Sequence, residues 1–260
     1  MQPALFLPHG APDLALSQIP AAQFLQGLFE DRPLPKGIVI ISAHWESPGL
    51  QLTTAPQLET IHDFGGFGPA LHALHYPTKT ASWVIDATKQ ALNAGGIEAE
   101  DNWQRGLDHG AWIPLMLALP KADIPVVQLS LPYGSTPEAL FYLGQALSEL
   151  AHQDILVIGS GATVHNLRKI APEGSKTPGW ATGFDDWIED VLIAQDWAAL
   201  FQFRNSEFGR ISHPTPEHFL PLLVVAGICD ARSRSVMKTI HRSYSYGSIG
   251  MAAWEVCDAI

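Results

Sequence analysis

Gly37-Ile38-Val39-Ile40-Ile41-Ser42-Ala43-His44-Trp45-Glu46 is the stretch from which the fold of this chain is read. Its first five residues, four of them β-branched, make a strand that is apolar on both faces, as in a sheet covered on both sides. The run then breaks into Ser42, His44 and Glu46. Ligands of open parallel sheets bind in the crevice beyond the carboxyl ends of the strands. The strand is therefore expected to deliver polar side chains to a site, with His44 at its rim.

The same device recurs on either side. Ala4-Leu5-Phe6-Leu7 is a short apolar run followed by Pro8-His9-Gly10, and Ile155-Leu156-Val157-Ile158 leads through Gly159-Ser160-Gly161 to His165. One such imidazole reads as a hydrogen-bonded loop residue. Three at the carboxyl ends of parallel strands, all on one side of a sheet, read as a metal site. The expected architecture is α/β: one domain over residues 1–260, with a mixed, mostly parallel sheet, helices on both faces and the metal site at the strand carboxyl ends.

Composition narrows the partners. The 260 residues are 47% hydrophobic, enough for a sizeable core. Fifteen basic against 26 acidic residues give a formal charge of −11, and no basic cluster is interleaved with aromatics. Nucleic acid and anionic membrane are poor partners for such a surface. Cys229 and Cys257 stand in unrelated contexts with no thiolate zinc spacing, which fits a reducing cytoplasm. No apolar run reaches the length of a membrane span, and the amino end carries no signal-like segment.

Between the strands the pattern predicts helices over 19–30, over 81–94, through Leu119 after the glycine-flanked loop that carries His109, over 137–152 and over 181–203, with a closing strand within 243–254. Thr60-Ile61-His62-Asp63-Phe64-Gly65-Gly66-Phe67-Gly68-Pro69 is too apolar for a solvated linker and reads as a wall or lid over a pocket. His72 and His75 after it read as packing residues. His109 follows Asp108, a helix-cap type, so it serves either as a packed cap neighbour or as a functional group. In His213-Pro214-Thr215-Pro216-Glu217-His218, two prolines fix the backbone around a carboxylate and an imidazole before an apolar helix, a rigid way to present a ligand pair.

Together Leu7-Pro8-His9-Gly10, Ser42-Ala43-His44-Trp45, Ile61-His62-Asp63-Phe64-Gly65-Gly66-Phe67, Asp108-His109-Gly110, Val164-His165-Asn166-Leu167 and Pro214-Thr215-Pro216-Glu217-His218 resemble, in order and over most of the chain, the class III (LigB-type) extradiol ring-cleavage dioxygenases. The resemblance is greatest to their 4,5-DOPA dioxygenase branch. It implies one divalent metal per chain, Zn²⁺ or Fe²⁺ with Fe²⁺ expected for ring cleavage, and His9, His44, His165 and His218 as metal histidines. Ala11 stands where many members have Ser, and Ala162 where Asn is common.

Extradiol cleavage needs a metal with open positions for the adjacent oxygens of a catechol and for O₂; two histidines and a carboxylate would leave that room. His9 and His44 supply two ligands, and either Glu217 or His218 the third. An unligated imidazole must take a catechol proton, with His109 and His165 as catalytic candidates, so His165 is a ligand in one reading and a base in the other. The expected partners are a small catechol substrate, of DOPA-like or related dihydroxyphenyl type, and O₂, acting on a monomer or small homo-oligomer. Two other classes keep the same residues: a zinc-dependent hydrolase of an amide or ester, and a non-catalytic module that binds a small aromatic.

Overall fold

The structure is a computed structural model that describes residues 2–259. Strands β1 (Ala4–Pro8), β2 (Gly37–Ser47), β3 (Gln51–Thr53), β4 (Glu100–Asn102), β5 (Val126–Pro132), β6 (Ile155–Gly161) and β7 (Ser235–His241) are followed by the short pair β8 (Tyr244–Ser245) and β9 (Ile249–Gly250), then β10 (Ala253–Asp258). Eight of them form one sheet in the order β4-β3-β5-β2-β6-β1-β10-β7. Four of its seven ladders are parallel, including the central run β5-β2-β6-β1; β3 on β5, and β1-β10-β7, are antiparallel.

The apolar doublets of the central strands divide between two cores. Leu5, Leu7, Ile38, Ile40, Leu156 and Ile158 face helices α1 (Pro20–Gly27) and, further along the chain, the helix His109–Ala118. Ala4, Phe6, Val39, Ile41, Ile155 and Val157 face the other layer. Helices α2 (Pro69–His72), α3 (Ser82–Ala94), α4 (His109–Ala118), α5 (Pro137–Leu147), α6 (Gly179–Ala194), α7 (Trp197–Phe201), α8 (Gly209–Ser212) and α9 (Leu220–Ala231) complete the chain. Of these α3, α5, α6 and α9 make the second layer. Each fully buried Ile, Leu or Val stabilises the fold by about 1.5–3 kcal/mol relative to exposure, which explains why a strand uninterrupted by polar residues predicts its own double cover.

The differences from the sequence expectations are local. Strand β2 runs on through Ser47, but its register on β5 slips between Ile41 and Glu46, so His44 sits on a bulge within the strand rather than beyond its end. Bulges re-aim side chains at active-site edges. The helix expected over 181–203 breaks after Ala194, where Gln195 takes φ 52° and Asp196 begins a new helix by accepting from Ala199 N. The helix expected to reach 152 ends at Leu147 and continues as a 3-10 turn. The closing segment is the β8–β9 hairpin followed by β10, and β7, with its Lys, Thr and His, carried no apolar alternation to announce it.

Candidate metal centre

The parallel strands bring their carboxyl ends to one edge, and five imidazoles gather there. His9 leaves β1 with its N–H on Gly161 O at 3.3 Å. His218 precedes α9, and its carbonyl accepts from Ala162 N (2.9 Å) where β6 ends. The Nε2 of His44 stands 3.0 Å from Nε2 of His9 and 3.2 Å from Nε2 of His218.

The outer nitrogens assign the tautomers. Ser160 Oγ donates its proton to Gly110 O, so across the 3.0 Å contact with His9 Nδ1 the imidazole is the donor, leaving its Nε2 bare. His218 Nδ1 lies 3.2 Å from Glu217 Oε1, an acceptor, which leaves that Nε2 bare as well. His44 turns Nδ1 toward Asp63 Oδ2 at 3.9 Å. Lone pairs converging at such distances repel unless a cation lies among them. Nitrogen ligands about 2.0–2.1 Å from a tetrahedral metal stand roughly 3.3–3.4 Å apart, close to the separations seen. An outer nitrogen held by a hydroxyl or carboxylate, as on His9 and His218, is also the usual support of a metal-binding histidine. The donor set fits a divalent metal.

Burial keeps these imidazoles neutral. It pushes His9 and His218 well below the ordinary histidine value, reinforced by the neighbouring histidines. His44 is lowered to about 4, by burial and then His109, against the opposing pull of Asp108 and Asp63.

Two further groups share members with the first: His44 with Asp63 and His109, and His218 with His165 and Glu217. His109 offers both its N–H and Nδ1 to Asp63 Oδ1 at 2.9 Å. Burial pushes Asp63 up, but the hydrogen bonds and charge of His109 outweigh it and hold the carboxyl at about 2. His165 stacks on His218, ring centroids 3.4 Å apart and planes 10° from parallel. Burial lowers it to about 4. Glu217 sits behind His218 and faces its outer nitrogen, while Nε2 of His218 faces His44.

Beneath the histidines lies Asp108, fully buried, accepting from Ser42 Oγ (2.6 Å), Gln128 Nε2 (2.5 Å), Arg105 Nη2 (3.1 Å) and, as the cap of α4, Ala111 N (3.2 Å). Gly110 is fixed by this packing: a Cβ there would lie 2.4 Å from Ser42 Oγ and 2.9 Å from His44 Cδ2. The sequence reading passed over Asp63, Ser160 and Gly110 as functional residues. Their only signal was position, Asp63 within the glycine-aromatic loop and Gly110 directly after His109.

That loop lies against the site. Phe64 meets His109 edge-on at 5.7 Å, and Phe67 meets Phe64 at 5.5 Å. Phe67 and His165 share a cavity of about 210 Å³. His72 and His75 are exposed and stand outside the three groups.

Residues 20–253 match the catalytic LigB subunit of aromatic ring-opening dioxygenase. The chain belongs to the LigB family. A 4,5-DOPA dioxygenase extradiol of Escherichia coli (strain K12) is 37% identical over 88% of this chain and 86% of its own. Its counterpart in Beta vulgaris is 34% identical over 94% of each. An uncharacterised Escherichia coli K12 protein of known crystal structure superposes with TM-score 0.83 at 30% identity, covering 99% of this chain and 100% of that one. This LigB-family chain is thus an extradiol-type ring-cleaving dioxygenase, an oxidoreductase acting on a small aromatic with O₂, and the comparisons lend the hydrolase alternative no support. The family's dependence on a metal agrees with the donor set described above. Among the described residues no helix is long and apolar enough to cross a membrane.

Proposed function

We propose that this enzyme, acting as a single catalytic domain, opens the ring of a dihydroxyphenyl (catechol) substrate at an Fe²⁺ centre held by His9, His44 and His218. The observation that carries the reading is the convergence of three imidazole Nε2 atoms at 3.0 and 3.2 Å, two of them stripped of their protons by Ser160 and Glu217. A bound Fe²⁺ would supply a Lewis-acid, redox-active site that takes both catechol oxygens and O₂.

The protein's own residues handle protons and water. His165, neutral at every pH well above about 4, accepts a catechol proton. Its place on the cavity wall, stacked on His218 and outside the converging set, supports that role. Asp63 stays ionised and fixes the Nδ1 proton of His109, which leaves His109 Nε2 free to take or return a second proton. Phe64 and Phe67 shield this edge from water. The relatives named for DOPA support a catechol as substrate. The acidic surface and the two unpaired cysteines support a cytoplasmic monomer or small homo-oligomer without affinity for nucleic acid.

Metal-stripped protein reconstituted anaerobically with Fe(II) or Zn(II) and then given O₂ and a catechol tests the proposal. The Fe(II) sample is expected to take up O₂, and with labelled O₂ both oxygen atoms should appear in one ring-opened semialdehyde. Uptake by neither sample, or product with a single labelled oxygen, would overturn it.

A further inference from the structure

The cavity beside His165 has walls that bear on which catechol enters. Phe67, Leu167, Ile170 and Ile249 line it together with the methyl of Ala11, and His165 is the only side chain on it that can carry a positive charge. Leu167 and Ile170 are 63% and 48% exposed at its rim, large apolar side chains left in water on an otherwise acidic protein. Tyr246 closes the wall. Its backbone lies in the left-handed region, φ 49°, where a bulky residue is rarely found. Three contacts hold it there. Its hydroxyl donates to Asp13, its N–H donates to Glu173 Oε2 (2.7 Å), and its carbonyl accepts from Ala171 N (2.9 Å).

Behind this wall stand Asp13 and Glu173, both negative and both already engaged, Glu173 also by Ser245 Oγ; the cations of the rim turn, Arg168 and Lys169, are exposed and do not line the cavity. A carboxylate on the ring substituent would therefore leave water for an apolar wall backed by anions, with no Lys or Arg lining the cavity to compensate. An uncharged substituent would cover Leu167 and Ile170 instead.

We propose that the cavity is a subsite for an uncharged, apolar ring substituent, with Tyr246 as its fixed wall, so that the preferred substrate is an alkyl- or aryl-substituted catechol rather than an amino-acid or acid one. This rests on the ring-cleavage reading for the placement of the diol at the histidines. The test separates the two. Binding of propylcatechol, dihydroxyphenylpropanoate, dihydroxyphenylethylamine and unsubstituted catechol to the Zn(II)-loaded protein is measured by titration calorimetry without O₂, and O₂ uptake with the same four is measured on the Fe(II) enzyme.

Propylcatechol is expected to bind about tenfold or more tightly than each of the other three. Leu167→Lys and Ile170→Lys, both at exposed positions, should each shift the ratio of propanoate to propylcatechol affinity about tenfold toward the acid. Equal or tighter binding of the acid or the amine by the unaltered protein, a ratio unmoved in both variants, or no binding of any catechol overturns the proposal. The expected order of affinities without any O₂ uptake would overturn ring cleavage and leave the subsite standing.

Discussion

A metal ligand and a proton acceptor fail differently when removed, and this separates the roles among the five imidazoles. His9→Ala opens the converging set and exposes Ser160 to an empty cavity, so it is expected to lose bound metal, read by elemental analysis after reconstitution. His165→Ala removes a ring that stacks on His218 but holds none of its hydrogen bonds, so metal should stay near parent content while turnover falls about 10²–10⁴-fold. Metal loss in His165→Ala equal to that in His9→Ala would make His165 a fourth ligand. Asp63→Asn keeps the shape and removes the charge that holds the His109 tautomer; metal content should be unchanged and kcat reduced at least tenfold, with little change in KM. A parent-like kcat would leave Asp63 a structural role only. That His9, His44 and His218 come together was legible in the sequence, because strand ends and a proline-fixed segment announce them. Asp63 was not, since a carboxylate in a glycine loop gains meaning only once the His109 N–H and Nδ1 are seen on the same oxygen. Spacing likewise left Glu217 and His218 as alternatives, because it does not carry side-chain direction; in the structure it is Nε2 of His218 that faces His44.

Helix α9 reaches the site because its neighbours lack side chains where it touches them. A Cβ on Gly144 of α5 would lie 1.9 Å from Val224 O, and one on Gly227 of α9 would lie 1.9 Å from Phe141 O, so the two helices meet backbone to backbone. At the other end a Cβ on Gly161 of β6 would lie 2.2 Å from His218 O, the carbonyl that accepts from Ala162 N. These glycines set the height of α9 and hence of His218. Gly144→Ala and Gly227→Ala should each destabilise the fold by about 1–3 kcal/mol, through overpacking against backbone that cannot yield locally. The double variant should cost less than the two combined, since one helix shift relieves both clashes. Chemical denaturation checks this, and strictly additive losses would mean the contacts are independent. Gly161→Ala should lower metal affinity more than stability, because the group displaced is the peptide of His218. The central strands were legible from their β-branched runs, but this helix pair was not: an apolar stripe predicts that a helix is buried, whereas the distance of approach depends on which glycines face each other across two elements.

At the scale of the whole molecule, burying so many histidines makes stability depend on pH. Burial holds His44 and His165 at about 4 and His213 at about 3, and His9 and His218 well below the ordinary value of 6.5. His213 lies outside the metal groups; its Nε2–H donates to Thr163 O at 2.7 Å, leaving its buried Nδ1 without a partner. A histidine lowered in the folded state takes up its proton first in the unfolded chain. Stability is therefore full above about pH 6.5 and lost as pH falls toward the folded values. Asp185 works the other way: burial raises it to about 6, so the native state takes that proton first and offsets one imidazole over part of the same range. Each imidazole contributes at most about 1.4 kcal/mol per pH unit, so five against one carboxylate amount to roughly 5 kcal/mol per unit at the steepest. Domains are stable by only about 5–15 kcal/mol, so metal-free protein should be close to unfolding near pH 5. Its urea midpoint should be level from pH 8 to 7 and fall steeply below about 6.5. Metal-loaded protein should start higher at pH 7, because binding to the native state stabilises it, and should fall more steeply still, because acid takes the ligand lone pairs from the metal. A metal-free midpoint that stays level down to pH 5 would show that these imidazoles find hydrogen-bonded charge in the folded state, and the neutral donor set on which the metal centre depends would have to be abandoned.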